Sequence, residues 1–290
     1  MLFGFIFSGS YRKLYRFKTI IATTNALGIC LALSKKLGFL ENEVIFINMG
    51  LFAKRQSIFK TFIYKRILEN VKMLSLSKYE SKFLSYEFKS NNVNYLQFGV
   101  DKNFWKKNES FQDNSPKKNQ YILSIGGDLA RDWNLLTDSW QSDFPCLKIV
   151  SPRKINSSKN NIQVISSSWH DDKLSDLEIK DIISKSLFVI IPLKETIQPS
   201  GQSSCLQAMS CGKAVIISDI QGIWDRDLLL HEENIFLVKP SDGKSLIEGI
   251  KVLFRENSLR TKIEKNGRKL IQEEFNSYKM ADNLKEYLED

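Results

Sequence analysis

Short apolar runs alternate with longer segments of helical periodicity along the chain. Before residue 99, mainly apolar runs predict strands at 19–22, 44–48, 73–77 and 93–98. Between them, residues 23–25 cap a predicted helix that ends near 36 and whose apolar positions suit packing on a sheet. A basic helix is predicted at 58–70 and a further helix at 78–88. Strands that alternate with helices are typical of parallel, doubly wound sheets, so the pattern predicts an α/β fold.

A second alternation follows a polar stretch at 108–120, which predicts a linker. The strands predicted after it lie at 121–125, 147–150, 162–166, 187–191, 214–217 and 235–238. Helices are predicted at 176–186, 244–255, 258–275 and 278–288. We therefore expect two Rossmann-like lobes, residues 1–115 and 116–290, with the last helix packing back on the first lobe.

Composition places the chain among ordinary globular proteins. Its 290 residues are 42% hydrophobic and 26% charged, and no run approaches the ~20 apolar residues of a membrane-spanning helix. The apolar opening at 1–7 precedes the first basic residues and shows no cleavage site, so we expect no signal peptide. The four cysteines form no CxxC pair, which favours free thiols in the cytoplasm and predicts no metal site.

The net charge of +9 is concentrated in the first part of the chain. Residues 1–120 carry 20 Lys and Arg against 8 Asp and Glu, whereas the remainder has a net charge of −3. A basic first lobe favours an anionic partner such as a membrane surface, a phosphorylated acceptor or nucleic acid. The alternative is a merely solvated basic face. Beyond the stretch 11–18 no aromatic and basic motif supports nucleic acid, so we expect none as a partner.

Two loops after predicted strands could bind an anion. After strand 187–191, Pro199 and Gly201 break the strand, and Ser200 or Ser203 can cap a helix at 203–211. Free backbone N–H groups and the dipole at such a helix start attract negative charge.

The second loop follows strand 121–125 and contains Gly126, Gly127 and Arg131. The glycines allow a ligand to approach the backbone closely, and the guanidinium of Arg131 can pair with phosphate. The carboxyl ends of parallel strands meet at one edge of a sheet, so both loops should face one crevice. Two donor-rich loops and one arginine predict a diphosphate site.

Four segments resemble a known family: residues 199–222, 231–250, 98–105 and 124–133. In order and spacing they are similar to the retaining, nucleotide-sugar-dependent glycosyltransferases of the GT-B fold, in the group often called family 4. The resemblance covers about residues 70–290. It implies a metal-independent transfer from a UDP- or GDP-sugar, with no other cofactor, to a glycan, lipid-linked or other acceptor with retained configuration. It also suits polysaccharide biosynthesis at the inner face of the cytoplasmic membrane.

Carried over residue by residue, the resemblance assigns the donor site. It implies that Ser200, Gly201, Gln202 and Ser203 bind the sugar and diphosphate through backbone N–H groups. Gln207 stands where the family has a glutamate for the ribose hydroxyls. Arg131 matches the phosphate-binding basic residue with a shift of one position, beside Gly126 and Gly127.

Several departures leave the catalytic residue unknown. Pro199 stands where the family has its first glutamate; Glu195 could replace it or be a solvated loop carboxylate. Asn25 is a further candidate because it follows a strand end, and His170 lies in a loop where a base could rest. The first lobe is short and lacks the histidine of many members. The alternative function is therefore a non-catalytic nucleotide-sugar-binding or partner subunit that has lost its acceptor loop.

Overall fold

The computed structural model describes residues 10–106, 120–166 and 174–289, and two parallel sheets organise them. After a short 3-10 helix, Ser10–Leu14, the first sheet has the strand order β1-β2-β3-β4. Its strands are β1 Thr19–Ala22, β2 Glu43–Asn48, β3 Lys72–Ser75 and β4 Val93–Tyr95. The helices between them are α1 Asn25–Lys36, α2 Ile58–Leu68 and α3 Lys78–Phe88.

The second sheet has six parallel strands in the order β7-β6-β5-β8-β9-β10. They are β5 Tyr121–Ile125, β6 Cys146–Ser151, β7 Ile162–Ser166, β8 Val189–Ile191, β9 Val215–Ser218 and β10 Phe236–Val238. The helices of this part are α4 Trp133–Ser139, α5 Asp176–Lys185, α6 Gln202–Ser210, α7 Gly243–Arg255, α8 Asn257–Glu273 and α9 Ser277–Glu289.

The order of the second sheet is that of a doubly wound nucleotide-binding fold. The chain runs outward from β5 through β6 to β7, then returns to pair β8 with β5 at Leu123 and Val189. The crossover direction reverses between β5 and β8, and a crevice opens beyond the carboxyl ends of strands at such a point. The two loops singled out above follow these two strands.

Serine and threonine caps set the starts of the first-lobe helices. The side chains of Thr24, Ser57 and Ser77 each accept a hydrogen bond from the backbone three residues later, so α1, α2 and α3 begin immediately after them. This capping also explains why β3 ends at Ser75, two residues earlier than the apolar pattern indicates: Ser77 is already the cap of α3.

The last helix leaves the second lobe and covers the first sheet. Met280, Leu284 and Tyr287 of α9 pack on a buried cluster formed by Ile45, Ile47, Leu74, Leu76 and Leu96. The opposite face of the sheet packs against the layer of α1, α2 and α3. The first sheet is therefore closed on one side by residues from the end of the chain.

A backbone bridge joins the two lobes where α9 begins. The N–H of Val100 donates to the carbonyl of Phe275, and the N–H of Ser277 donates to the carbonyl of Val100, both at 3.0 Å. A Cβ at Gly99 would lie 2.1 Å from the carbonyl oxygen of Asn276, so only glycine fits this crossing. Of the linker predicted at 108–120, all but Gln120 lies outside the described residues.

The helices of the described residues are all too short or too polar to cross a membrane. The cysteines at 30, 146, 205 and 211 are all free thiols.

Candidate functional site

Backbone hydrogen bonds hold the β5 and β8 loops side by side. The N–H of Asp132 donates to the carbonyl of Pro192 at 2.9 Å, and the N–H of Lys194 donates to the carbonyl of Ala130 at 2.8 Å. The two loops thus form one wall of the crevice at the switch point. The sequence-based expectation that both loops face one crevice is met by this arrangement.

Arg131 is buried in this wall with part of its guanidinium unsatisfied. Nη2 donates to Ser204 Oγ at 3.2 Å, and Nε lies 3.0 Å from Asp128 Oδ2 without the alignment of a hydrogen bond. Among the described residues, Nη1 has no hydrogen-bond partner. Burial lowers the pKa of the Arg131 guanidinium, and the nearby Asp128 carboxylate opposes that shift. A buried cation with an unused donor is costly unless an anion completes its shell.

Gly126 makes room for this arginine. Its φ is +145°, and a Cβ at this position would lie 2.3 Å from Arg131 Nη2. Any side chain would therefore displace the guanidinium from the loop. The next residue, Gly127, accepts a hydrogen bond of 2.7 Å from Arg153 Nε through its carbonyl. Contacts of either glycine with a ligand stay a prediction.

The start of α6 lies beside Arg131 and has no side-chain cap. Gly201 is the N-cap with φ +75°, and no side chain caps the helix. The prediction that Ser200 or Ser203 caps it is wrong, because the left-handed turn at Gly201 starts the helix at Gln202. A Cβ at Gly201 would lie 2.7 Å from Ile191 Cγ2 and 3.4 Å from Arg131 Nη1. The first N–H groups of the helix and the spare guanidinium donor thus converge.

The other predicted donor-site residues of this segment are placed differently. The N–H of Ser200 already donates to the carbonyl of Gln198 at 2.8 Å. The side chain of Gln202 turns toward the first lobe and donates to the carbonyl of Leu76 at 3.1 Å. Ser203 is exposed and Gln207 half-buried, and their spacing of four residues puts them on one face of α6. Their predicted ligand contacts remain predictions.

Asn25 holds a loop of the first lobe. Its Nδ2 donates to the carbonyl of Gly50 at 2.9 Å, and its Oδ1 accepts from the N–H of Met49 at 3.1 Å. The Gly50 carbonyl also accepts a hydrogen bond of 2.7 Å from Gln198 Nε2 of the second lobe. Both polar atoms of Asn25 are therefore engaged in positioning this loop, which favours a structural role over the predicted catalytic one.

Glu195 lines a groove between the lobes. Its Oε1 accepts from the N–H of Gln221 at 2.8 Å, and the lining of the groove includes three aromatic side chains. The groove has a volume of about 390 Å³ and combines loops of both lobes with the outer side of α3. Its lining includes Lys54, Arg55, Tyr79, Phe83, Tyr86 and Glu195.

Two further expectations concern histidine and metal. His170, predicted to lie in a loop where a base could rest, falls outside the described residues. Within 10–106, 120–166 and 174–289, no three His, Cys, Asp or Glu side chains come together in a metal-binding arrangement.

Three residues near the crevice escaped the sequence analysis. Ser204 binds Arg131, Asp128 lies beside the same guanidinium, and Arg153 holds the carbonyl of Gly127. Asp128 could have been singled out because it stands three residues before Arg131. For Ser204 and Arg153 the sequence offers no comparable signal, since both contacts depend on how separate loops meet.

Comparison with known proteins identifies the pattern of the second lobe. Residues 158–270 match the family described as glycosyl transferases group 1. An uncharacterized glycosyltransferase of Methanocaldococcus jannaschii is 33% identical over 87 residues, which are 30% of this chain and 22% of that protein. The aligned part thus spans about a fifth of the relative's length.

Solved structures share the whole architecture at low sequence identity. A glycosyltransferase of Rickettsia africae superposes with a TM-score of 0.74 at 16% identity, covering 98% of this chain and 79% of that chain. A sucrose-phosphate synthase of Thermosynechococcus elongatus superposes with a TM-score of 0.77 at 17% identity, covering 97% of this chain and 75% of that chain. Anabaena HepE in complex with UDP and glucose superposes with a TM-score of 0.79 at 13% identity, covering 99% of this chain and 83% of that chain.

These likenesses and the two parallel sheets show that the chain has the two-lobed GT-B fold, and its residues 158–270 carry the pattern of the group 1 glycosyl transferases.

Proposed function

We propose that this protein is a glycosyltransferase that takes its sugar from a nucleoside diphosphate sugar bound in the second lobe. The observation that carries the proposal is the buried guanidinium of Arg131. Its Nη1 finds no hydrogen-bond partner in the part of the chain that the structure describes, and it lies beside the uncapped start of α6. A diphosphate would supply the acceptor that Nη1 and the first N–H groups of α6 lack.

The donor is proposed to be a UDP-sugar, with a GDP-sugar as the alternative. Support comes from the fold shared with Anabaena HepE, which was solved in complex with UDP and glucose. During transfer, negative charge grows on the leaving diphosphate. The N–H groups of α6 and the Arg131 guanidinium would stabilise that charge, so we propose that no divalent metal is required. The resemblance to the retaining GT-B glycosyltransferases is the support for proposing that configuration is retained.

The acceptor is proposed to bind in the groove beside Glu195. Tyr79, Phe83 and Tyr86 share one side of α3 and offer aromatic surface for the apolar faces of sugar rings. Arg55 pairs with Glu87 at 2.8 Å, and one Lys and one Glu remain to bind hydroxyl groups. This balance of charges suits the sugar part of a glycan or of a lipid-linked glycan.

The loop that carries Glu195 contacts both the proposed donor wall and the first lobe. Its neighbour Lys194 is bonded to Ala130 in the donor wall, while Thr196 Oγ1 donates to the carbonyl of Ala53 at 3.0 Å in the first lobe. One loop therefore borders both the anion site and the groove. We propose Glu195 as the carboxylate nearest to the reacting hydroxyl group.

Binding of UDP and of uridine tests the donor site. We expect UDP or GDP to raise the melting temperature of the protein. Arg131→Ala should weaken UDP binding, measured by calorimetry, by at least tenfold and leave the weaker uridine binding within twofold, because only the diphosphate meets the guanidinium. Arg255→Ala in the last turn of α7 is the matched control. Equal loss of UDP and uridine would remove Arg131 from the phosphate role, and no melting shift with either nucleotide would refute the donor site.

A non-catalytic nucleotide-sugar-binding subunit is the second candidate. It is favoured by Pro199, which occupies the glutamate position of the family, and by the engagement of Asn25 in the first-lobe loop. Incubation with UDP-sugars and a mixture of glycan acceptors separates the two functions. Acceptor-dependent release of UDP supports the enzyme, whereas saturable binding without release supports the subunit.

A further inference from the structure

The outward side of α2 is apolar. Ile58, Phe59, Phe62 and Ile63 are 90, 74, 53 and 39% exposed, and their spacing places them together along the helix. We call these four residues the α2 face. A helix on a globular protein normally turns its apolar side inward, yet only Thr61 and Leu68 of α2 are buried. A contiguous exposed apolar surface of this kind marks a contact with another body.

Basic residues surround the α2 face. The segment 51–68 contains three lysines and two arginines and no Asp or Glu. Lys54 and Lys60 are exposed beside the face. Arg66 lies over the ring of Phe62 at 5.4 Å and 3.6 Å from Glu69, and Arg55 pairs with Glu87. The surroundings of the face are therefore positive.

We propose that the α2 face docks on an anionic lipid bilayer. The isoleucine and phenylalanine side chains would enter the boundary between headgroups and acyl chains, and the lysines and arginines would meet lipid phosphates. This combination of an apolar strip with flanking cations is what a surface-lying helix needs, and it requires no membrane-spanning segment.

Charge argues against the other partners that an apolar face could take. In a twofold dimer, the same surface of each copy would meet, and the basic residues of segment 51–68 would oppose one another. Nucleic acid would satisfy the cations and could stack on Phe59 and Phe62. It offers nothing to Ile58 and Ile63, whose aliphatic side chains gain free energy only by leaving water.

Docking through this face would place the acceptor groove at the membrane. Lys54 and Arg55 line the groove and lie just before Ser57, the cap of α2. α2 also packs beside α3, which carries the aromatic wall of the groove. The sugar part of a lipid-linked acceptor would then reach the groove at headgroup level. This last link rests on the proposed function, whereas the docking does not.

Vesicle flotation with the full chain tests the docking. We expect the protein to float with phosphatidylcholine vesicles that contain 30% phosphatidylglycerol, and to float much less with pure phosphatidylcholine vesicles. The bound fraction should fall as the salt concentration rises, because salt screens the attraction of lysine for phosphate. Absence of flotation with the anionic vesicles at low salt would overturn the proposal.

Two pairs of variants locate the surface. Ile58→Ser with Phe59→Ser should weaken vesicle binding about tenfold or more, because two apolar side chains no longer leave water. Leu177→Ser on α5, where Leu177 is 67% exposed, is the matched control and should float like the wild type. Lys54→Gln with Lys60→Gln should weaken binding about 30-fold, at about fivefold per charge. Lys265→Gln with Lys269→Gln on α8 is its control.

Further measurements separate the proposal from its rivals. If the Ile58→Ser/Phe59→Ser and Lys54→Gln/Lys60→Gln variants float as well as the two controls and the wild type, docking occurs elsewhere and the proposal for the α2 face is refuted. A dimer by light scattering that Ile58→Ser with Phe59→Ser dissociates, without flotation of the wild type, would assign the face to a second copy. Retention on immobilised RNA without flotation would assign it to nucleic acid. A UDP-induced rise in melting temperature, retained in the variants, shows that the donor site is intact whichever result is obtained.

Discussion

The side-chain amide of Gln202 donates a hydrogen bond of 3.1 Å to the backbone carbonyl of Leu76, so the first residue of α6 holds the first lobe. The helix that offers its N-terminus to the proposed diphosphate is therefore bound directly to the loop after β3. Donor binding and the placement of the first lobe share one element.

Replacing Gln202 should weaken this connection. Gln202→Ala leaves the buried carbonyl of Leu76 without its partner, and we expect a loss of about 1–2 kcal/mol in the free energy of unfolding. Urea denaturation measures it. Gln272→Ala at an exposed position of α8 serves as the control and should stay within about 0.5 kcal/mol of the wild type. Equal effects of the two changes would show that the bond contributes nothing.

Gly201 should tolerate no side chain. Gly201→Ala combines a φ of +75° with a Cβ 2.7 Å from Ile191 Cγ2. We therefore expect it to lower the free energy of unfolding by about 2 kcal/mol or more, the upper end of the cost of a left-handed conformation, and to weaken UDP binding. Gly38→Ala is the matched control, since Gly38 has φ +79° and open space around it. Gly38→Ala should lower the free energy of unfolding by about 1 kcal/mol and leave UDP binding unchanged. Thermal unfolding and calorimetry with UDP give both readouts.

Glu80 should make stability depend on pH. Its carboxylate accepts from the N–H of Leu51 at 2.8 Å, and burial raises its pKa from 4.5 to about 7, against the opposing effect of its hydrogen bonds. The folded-state pKa exceeds the unfolded one. Protonated Glu80 therefore favours folding below pH 4.5, and this contribution is lost as the pH rises through about 7.

The variant Glu80→Gln measures this effect. Relative to the wild type, it should gain up to about 3 kcal/mol in unfolding free energy between pH 4.5 and 8, because it has no charge to bury. Asp227→Asn is the control. The hydrogen bond from Lys78 lowers the pKa of Asp227, so the contribution of this carboxylate is lost only toward acid pH, and its difference from the wild type should stay constant between pH 5 and 8. A constant difference for Glu80→Gln as well would contradict the raised pKa.

Lys159 should stabilise the end of α4. Its ammonium donates to the carbonyls of Thr137, Asp138 and Trp140 at 2.7, 2.9 and 2.7 Å, at the end of the helix where carbonyls lose their helical N–H partners. The carbonyl of Thr137 also accepts from the N–H of Trp140 at 3.4 Å. Lys159→Met should lower the free energy of unfolding by about 1–2 kcal/mol, measured in urea. Lys154→Met, at an exposed position of the same loop, should have little effect. An unchanged midpoint for both would show that water replaces the ammonium without cost.

The elements were predictable because apolar runs and caps are local. Both sheets, the crevice loops and the positions of Gly126 and Gly201 followed from residues near one another in sequence. The start of α6 after Gly201 was not predictable, because the left-handed turn there lies close to Ile191 in another segment of the chain. The burial of Arg131 and the turn of Gln202 toward Leu76 depend on distant segments as well. α2 has apolar residues on all sides, so its sequence did not reveal which side faces outward.

The position of α9 has a consequence for how this chain is made. The first sheet is synthesised early, yet Ile45, Ile47 and Leu74 stay uncovered on one side until Met280, Leu284 and Tyr287 have left the ribosome. The first lobe is therefore completed last. A fragment that stops before residue 277 would contain all ten strands of the described residues and still leave the first sheet open on that side. The order of the lobes in sequence is therefore not their order of completion.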